Sequence, residues 1–472
     1  MIFPTSPIQV LPQIVRTEIK KDGSVRNFKE SESEHHHRSN KIYKNEDLEK
    51  INEKIWNSIK NEIKHDKERI DCKRIIEGDE SYVKLEAKSR LTYKDPKHLL
   101  MDCRSIKERN YFLEKPNEEK KYPLAYARIV YGSYRFLEAE FATNYQHQNW
   151  YCYAVDSKIG NKQFFKRIKS LAKCFPNVIV PTKRFPVDKD GVHMGTAFMS
   201  CLEELSKKKY KWEYVFTLQN FDIQIKTNEE IIQILKWLGG ANDVEYSLDK
   251  KELIQALYKK FNWTFKDLKL FRDEKLNNQV DTEGKPLSLK ITKGYIQASL
   301  ARPFVDFIVQ KLDLTQLLHH LNNCGEYGCD ELFFQSLLAT DVLKAPNSFT
   351  HKCVDKNIST PYVNRFSIWD VTNRSCHSGY MRHDICIFGL EDLAVNLRDN
   401  NFLFANKIKA DFDFGAILCW HEEMRSRALV DKGLKRLNST FYQNWPQKRF
   451  HKEMVKTGKV DIDKFNCDIN KN

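Results

Sequence analysis

No run of about 18 apolar residues occurs in the 472-residue chain, so no segment reads as a spanning helix. The opening stretch, "MIFPTSPIQVLPQIVRTEIK", is broken by Pro4, Pro7 and Pro12 and is too short in apolar residues even for an ordinary signal core. Any tie to a membrane is therefore expected only through an anchor not visible in this sequence. There is no CxxC pair, and Cys324 and Cys329, the nearest two cysteines, have no matching second knuckle, which argues against zinc. Neither a GxGxxG turn nor a P-loop is present, so phosphate would have to be held by side chains rather than by a glycine cradle. A zinc finger, an RNP-type aromatic motif and a heptad-linked basic region are missing too, which leaves nucleic-acid binding resting on charge alone.

That charge is real but diffuse. Lys and Arg number 78 against 64 Asp and Glu, a formal +14 spread along the chain rather than gathered in one stripe. Such a balance favours anionic partners, phosphorylated small molecules among them. With 41% hydrophobic and 12% aromatic residues the chain can bury a large core. Its twelve cysteines are dispersed, which reads as disulfides in an oxidising compartment. Four N-x-S/T sequons, at Asn262, Asn357, Asn373 and Asn438, agree with that compartment as glycosylation sites.

Residues 1–65 are polar and charged, with "HHHR" at His35 to Arg38, and read as a flexible stem; 66–122 read as a transition. An α/β pattern starts near Leu124: "LAYARIVYG" and "NWYCYAVD" are strand-like, and "NKQFFKRIKSLAKC" sets Phe164, Phe165, Ile168 and Leu171 on one helical face. "NVIV" predicts a short strand, "GTAFMSCLEEL" a helix, and "YVFTLQNFD" a strand leading to Asp222. Thr227 and Glu230 then form a capping box ahead of an Ile/Leu stripe that Gly239-Gly240 ends. Alternating strands and helices predict a largely parallel sheet covered on both faces, with ligands beyond the carboxyl ends of its strands. Asp156 and Asp222 fall at such ends. Residues 241–290 predict one helix with long loops, and the stretch after residue 430 a basic tail.

Three constellations carry candidate chemistry. In "YGCDELFFQSL", Asp330 and Glu331 precede an apolar helix; acids favour a helix start by capping and by the dipole, yet the same position would fix an ionised general base. In "MRHDICIFGLEDLAVNLRDNNFLFANKIKADFDFGA", the cations Arg382, His383, Arg398, Lys407 and Lys409 surround an apolar strand; they are solvated surface by default and a phosphate grip if an anion binds. "DFDF", Asp411 to Phe414, has the look of a DxD metal motif, but it lies far from the early strands that would bind nucleotide. Asp222 alone reads as a turn residue.

Together these blocks resemble a known family. From Ala125 to Leu429, "WYCYAVD", "CFPNVIVP", "FDIQIKTNEEI", "GYIQASLARPFVDFIV", "YGCDELFFQSLLATD", "RFSIW", "CIFGLEDL" and "LFANKIKADFDFGAI" occur in the order of the core-2/I-branching β-1,6-N-acetylglucosaminyltransferases, most like their nematode branch. The resemblance implies a glycosyltransferase A-type, Rossmann-like mixed sheet flanked by helices over 123–430, after the stem and before a basic tail at 431–472. It implies an inverting, metal-independent transfer of N-acetylglucosamine from UDP-GlcNAc to a glycan or glycoprotein hydroxyl, with no cofactor beyond the UDP-sugar and no bound metal. It places the base on Glu331, which leaves Asp330 as the helix cap, and the diphosphate grip on Arg382, with His383 the alternative, and Lys407. Uridine contact falls on Asp156 and the acceptor pocket on Trp369. It further implies the disulfides Cys72–Cys419, Cys103–Cys174, Cys152–Cys201 and Cys376–Cys386, and the Golgi lumen or membrane as location. A xylosyltransferase of the same family and a catalytically idle lumenal sugar-nucleotide or glycan binder are the alternatives. The chain departs from the mammalian pattern at "DKDGVHMGT", at Val371, at "QNFD", and by one extra residue between Arg382 and Cys386.

Overall fold

The computed structural model describes residues 43–63, 68–112, 122–158, 160, 162–208, 212–369, 375–431 and 433–468, together with the backbone of 18–19 and 25–26. The chain divides into two units, residues 1–41 and 42–472. In the first, Glu18–Ile19 pairs antiparallel with Val25–Arg26. The predicted histidine cluster at 35–38, Val371 and the sequon at Asn373 lie outside the described residues.

In the second unit the central sheet comprises β1 (Leu124–Val130), β2 (Trp150–Val155), β3 (Val178–Ile179), β4 (Tyr214–Leu218) and β6 (Ser299–Ala301), in the order β3-β2-β1-β4-β6. All neighbours are parallel except β4 and β6. Every residue of β1 is buried, as a strand covered on both faces must be. Its side chains divide by the two-residue period: Leu124, Tyr126 and Val130 join one core, Ala125, Ala127 and Ile129 the other. Helices Tyr134–Asn144, Lys162–Cys174, Asn228–Leu238 and Phe414–Ser426 cover the first face; Met194–Ser206, Arg302–Gln310 and Phe333–Ala339 cover the second. The Thr227 capping box forms as predicted, with the hydroxyl accepting from Glu230 N (3.2 Å) and the Glu230 carboxylate accepting from Thr227 N (2.6 Å).

A second, smaller sheet joins β5 (Ile223–Gln224), β7 (Arg365–Phe366) and β10 (Phe404–Ala405), and β8 (Met381–Arg382) pairs with β9 (Ile385–Cys386) as a hairpin. β1 sits centrally, with β2 and β3 on one side and β4 on the other. The strand order therefore reverses between β1 and β4, the switch point beyond whose carboxyl ends sheets of this class hold ligands in a crevice.

Two expected boundaries move. Part of the predicted stem, Asn45–Ile63, is a helix that buries Leu48, Asn52 and Ile59; Arg425 Nε donates to Asn52 Oδ1 (2.9 Å), and Arg135 pairs with Glu62 (3.2 Å). The predicted basic tail is also folded. Helix Pro446–Thr457 sends Phe450 into the second core, Gln447 Nε2 donates to Val244 O (2.9 Å), and Cys467 is bonded to Cys353. Lys452, Lys456, Lys459 and Lys464 of this segment are exposed, while Tyr442, Trp445, Phe450, Phe465 and Cys467 are buried and supply the anchor.

Disulfides join Cys72–Cys419, Cys103–Cys174, Cys152–Cys201 and Cys376–Cys386, the pairs implied by the resemblance, and also Cys324–Cys329 and Cys353–Cys467. The sequon residues Asn262, Asn357 and Asn438 are exposed. Asn438 caps the helix Ser439–Gln443 through Oδ1, which leaves its amide nitrogen outside that bond. Among the described residues no helix is long and apolar enough to cross a membrane.

Candidate active site

The crevice is floored by the ends of three strands. Asn220, just beyond β4, uses Oδ1 to accept from Tyr131 N (2.7 Å) and Gly132 N (3.1 Å), tying the turn after β1 to the turn after β4. Asp156 follows β2; its amide donates to Val130 O (3.0 Å), and its Oδ1 accepts from Lys158 N (2.9 Å). Next to it Ser157 N donates to Phe185 O (2.9 Å), which fixes the aromatic segment leading into the 188–193 loop. The Tyr131 hydroxyl is pushed up to about 12, first by burial; the charges of Arg382, Asp222 and Asp156 all bear on it. Asp156 and Arg382 therefore face the same crevice.

One wall is basic. The β8–β9 hairpin turns through His383 (φ 51°) and Asp384 (φ 58°), both left-handed, as a two-residue hairpin of the type I′ class requires. His383 is thus a turn residue, whereas Arg382 lies in the strand, exposed, opposite Ile385. Lys407 is half-buried; burial lowers its ammonium to about 8, and the cations Arg365 and Arg382 lower it further. Sequence reasoning passed over Arg365, although it stands in the quoted "RFSIW". Its guanidinium is buried, lies 3.8 Å from Asp222, donates to Gln219 Oε1 (3.1 Å) and covers the Tyr295 ring at 5.4 Å. Asp222 is wholly buried and acts as the anchor of this wall: it accepts from Gln219 N (2.6 Å) and from Asn406 Nδ2 (2.7 Å), and Asn406 directly precedes Lys407. Lys409 pairs with Asp411 (3.0 Å), and Arg398 donates to Ile76 O (2.9 Å) instead of joining the group.

The opposite wall is acidic. Asp330 and Glu331 sit in a short 3₁₀ turn, Cys329–Leu332, ahead of the helix Phe333–Ala339. Asp330 is not the cap of that helix, contrary to the sequence-based assignment; the N-cap position belongs to Leu332, with no side-chain bond. Its carboxyl is instead buried against the backbone of Gly191, where φ is +91° and a Cβ would lie on the carboxylate itself. Burial first, then the neighbouring Glu331, pushes Asp330 up to about 7. Gly328 N, at the head of the same turn, donates to Asp190 O (3.1 Å), so the "DKDGVHMGT" segment is bolted to the turn that carries Glu331.

Glu331 is partly exposed and forms an ion pair through Oε2 with Lys293 Nζ. Beside them Glu245, pushed up to about 7 by burial, accepts from Tyr295 N (3.0 Å). The Tyr295 ring lies parallel to Trp369, with centroids 6.1 Å apart and 6° between planes, and Trp369 remains 39% exposed. An exposed indole beside a carboxylate fits the apolar face of a sugar ring. Arg365 lies beside Asp222 on the basic wall and over the ring of Tyr295, whose amide donates to Glu245 on the acidic wall, so the two walls meet at that residue.

The "DFDF" acids are engaged elsewhere. Asp413 is buried, caps helix Phe414–Ser426 by accepting from Ala416 N (3.0 Å), and pairs with Arg90 (2.6 Å). Among the described residues no three His, Cys, Asp or Glu side chains gather as a metal site.

A family model described as Core-2/I-Branching enzyme matches residues 124–395. The chain is 28% identical over 379 residues to a beta-1,3-galactosyl-O-glycosyl-glycoprotein beta-1,6-N-acetylglucosaminyltransferase of Bos taurus, a match covering 76% of this chain and 86% of that one. The protein of the same name from Homo sapiens is 28% identical over 386 residues, with 76% and 86% covered. A relative from Danio rerio, the beta-1,6-N-acetylglucosaminyltransferase numbered 4, is 26% identical over 331 residues, with 70% and 76% covered.

Proposed function

We propose, from the premise that this chain belongs to the Core-2/I-branching enzyme family and is a glycosyltransferase, that it moves N-acetylglucosamine from UDP-GlcNAc to a glycan hydroxyl with inversion and without a divalent metal. The observation that carries this reading is the crevice itself: a carboxylate on one wall and paired cations on the other, joined through Arg365.

A sugar hydroxyl is a weak nucleophile. Glu331 accepts its proton as the oxygen bonds to the anomeric carbon, an assistance of about 100- to 10,000-fold. On the far side the bond from that carbon to the β-phosphate oxygen breaks, and UDP leaves with the electron pair. Arg382 and Lys407 meet the developing negative charge, the role a metal ion fills in other transferases. One in-line displacement assisted by one carboxylate inverts the anomeric centre, as in the one-step glycoside chemistry. Asp156 contacts the uridine and Trp369 lines the acceptor pocket. The β-1,6 linkage and a glycoprotein acceptor follow from what the relatives are named for. Six disulfides and exposed sequons fit an oxidising, secretory-pathway compartment, and we place the enzyme in the Golgi.

The test is turnover on a panel of uridine-diphosphate sugars with the product linkage determined, run with and without EDTA. Transfer of N-acetylglucosamine, unchanged by chelator, is the expected result. Transfer of xylose instead would move the chain to the xylosyl branch, and loss of activity in EDTA would overturn the metal-free mechanism. A second reading, an idle sugar-nucleotide binder, is favoured by one observation, the acidic 188–193 loop in place of the aromatic segment of mammalian relatives. UDP binding without turnover of any donor would establish it.

A further inference from the structure

We propose that Lys293 is a positioning residue for the transfer, clamping Glu331 through Oε2 so that the other oxygen, Oε1, faces the acceptor hydroxyl. The inference rests on the base reading of Glu331 and extends it to a residue outside every catalytic motif. Two observations carry it. Lys293 Nζ is the cation in contact with the Glu331 carboxylate among the described residues, and both side chains are largely shielded, at 9% and 16% exposure. The lysine is also held by its backbone. Its carbonyl accepts from Ser247 N (2.8 Å), and the next residue, Gly294, donates from N to Glu331 O (3.0 Å). A Cβ at Gly294 would collide with the Glu245 carbonyl, so only glycine lets these two segments approach so closely. Main chain and side chain thus bolt Lys293 to the turn that presents the base.

The surrounding charge shows why a clamp is needed. Glu245 and Tyr295 face Glu331 from the segments at 245 and 295, and Asp330 and Tyr327 from its own turn, while Asp249 bears on Glu245 and Tyr295 and Asp190 on Tyr327. Lys250, whose ammonium donates to Tyr327 O (2.7 Å), and Arg365 stand further round the rim. Crowded carboxylates tend to share a proton, and the one nearest a cation keeps its charge. Both Asp330 and Glu245 are pushed up to about 7, and the charge of Lys293 acts to lower each. The Lys293 ammonium, in contact with Glu331, offsets part of the negative charge gathered here and holds that carboxylate in place. During transfer the hydroxyl proton moves to Oε1 while Oε2 stays on Lys293; the proton then passes to solvent as product leaves.

The test compares Lys293→Met, Lys293→Arg and Glu331→Gln in the full chain, reading kcat, both KM values and UDP binding by calorimetry. Lys293→Met is expected to lower kcat about 10- to 100-fold with donor KM and UDP affinity unchanged. Lys293→Arg should recover most of the loss. Unchanged UDP affinity certifies that a slow variant is folded. If Lys293→Met keeps the parental kcat while Glu331→Gln is inactive, the clamp is refuted and the base reading stands. If Glu331→Gln itself turns over normally, the base reading fails and takes the clamp with it.

Discussion

The two walls of the crevice are built in opposite ways. On the acidic wall the carboxylates are held against the protein: Glu331 on Lys293, Glu245 on the Tyr295 amide, Asp330 on the Gly191 backbone. On the basic wall Arg382 projects from a two-residue hairpin strand, and Lys407 is flanked chiefly by other cations. In the proposed mechanism a general base must be aimed to within fractions of an ångström, a demand that a carboxylate held by Lys293 and by the Gly294 amide is built to meet. An anion grip works by the reverse logic. Its cations repel one another, and on the proposed reading a diphosphate would relieve that repulsion on binding.

The contrast can be broken at several points. Glu331→Gln should show the largest effect, with kcat reduced about 1,000-fold or more while UDP affinity measured by calorimetry stays parental. A loss of UDP binding in that variant would mean that the two walls are not separable. The double variant Arg382→Ala, Lys407→Ala should weaken UDP binding about 100-fold and steepen nothing on the acceptor side, read as donor against acceptor KM. A pH series sharpens the second wall further. Lys407, lowered to about 8, is charged below that value and neutral above it, so UDP affinity should hold from pH 6 to 8 and fall as pH rises past 8. Lys407→Arg should flatten that fall, because guanidinium stays charged.

The smallest effect probes Asp330. Its carboxyl, raised to about 7, binds protons in the folded state at pH values where the unfolded chain has lost them. Stability is therefore drained as pH climbs from about 4 to about 7 and levels off above. Asp330→Asn, which removes the ionisation, should melt with the parent at pH 4 and above it at pH 8, with activity within a few-fold of the parent. A melting difference that is independent of pH would show that Asp330 is not the titrating group.

Much of this was legible in the residues. The capping box at Thr227 and the apolar β1 are local signals that tertiary structure had no reason to override, and the strand ends put Asp156 and Asp222 where the crevice opens. Asp222 alone read as a turn residue, because nothing local says that Arg365 and Asn406, far along the chain, will close around it. Lys293 carried no signal for the same reason: its meaning lies wholly in a contact with a residue 38 positions away. Asp330 was misassigned as a cap, since an acid before an apolar helix looks alike whether it bonds amides or is buried against a glycine. The 431–468 segment failed on composition. Its charges outnumber its apolar residues, and Phe450, Phe465 and Cys467 are too widely spaced to show a period.

The Cys72–Cys419 bond has a consequence of its own. It closes a circuit of 347 positions that contains Asp156, Glu331, Arg382 and Lys407. Nascent chain emerging from the ribosome cannot complete that ring until residue 419 has been made, so covalent sealing of the segment between the two cysteines must come late in biosynthesis. Once sealed, a protease that nicks any outer loop between the two cysteines leaves a single molecule, and its pieces part only when a reductant opens the ring.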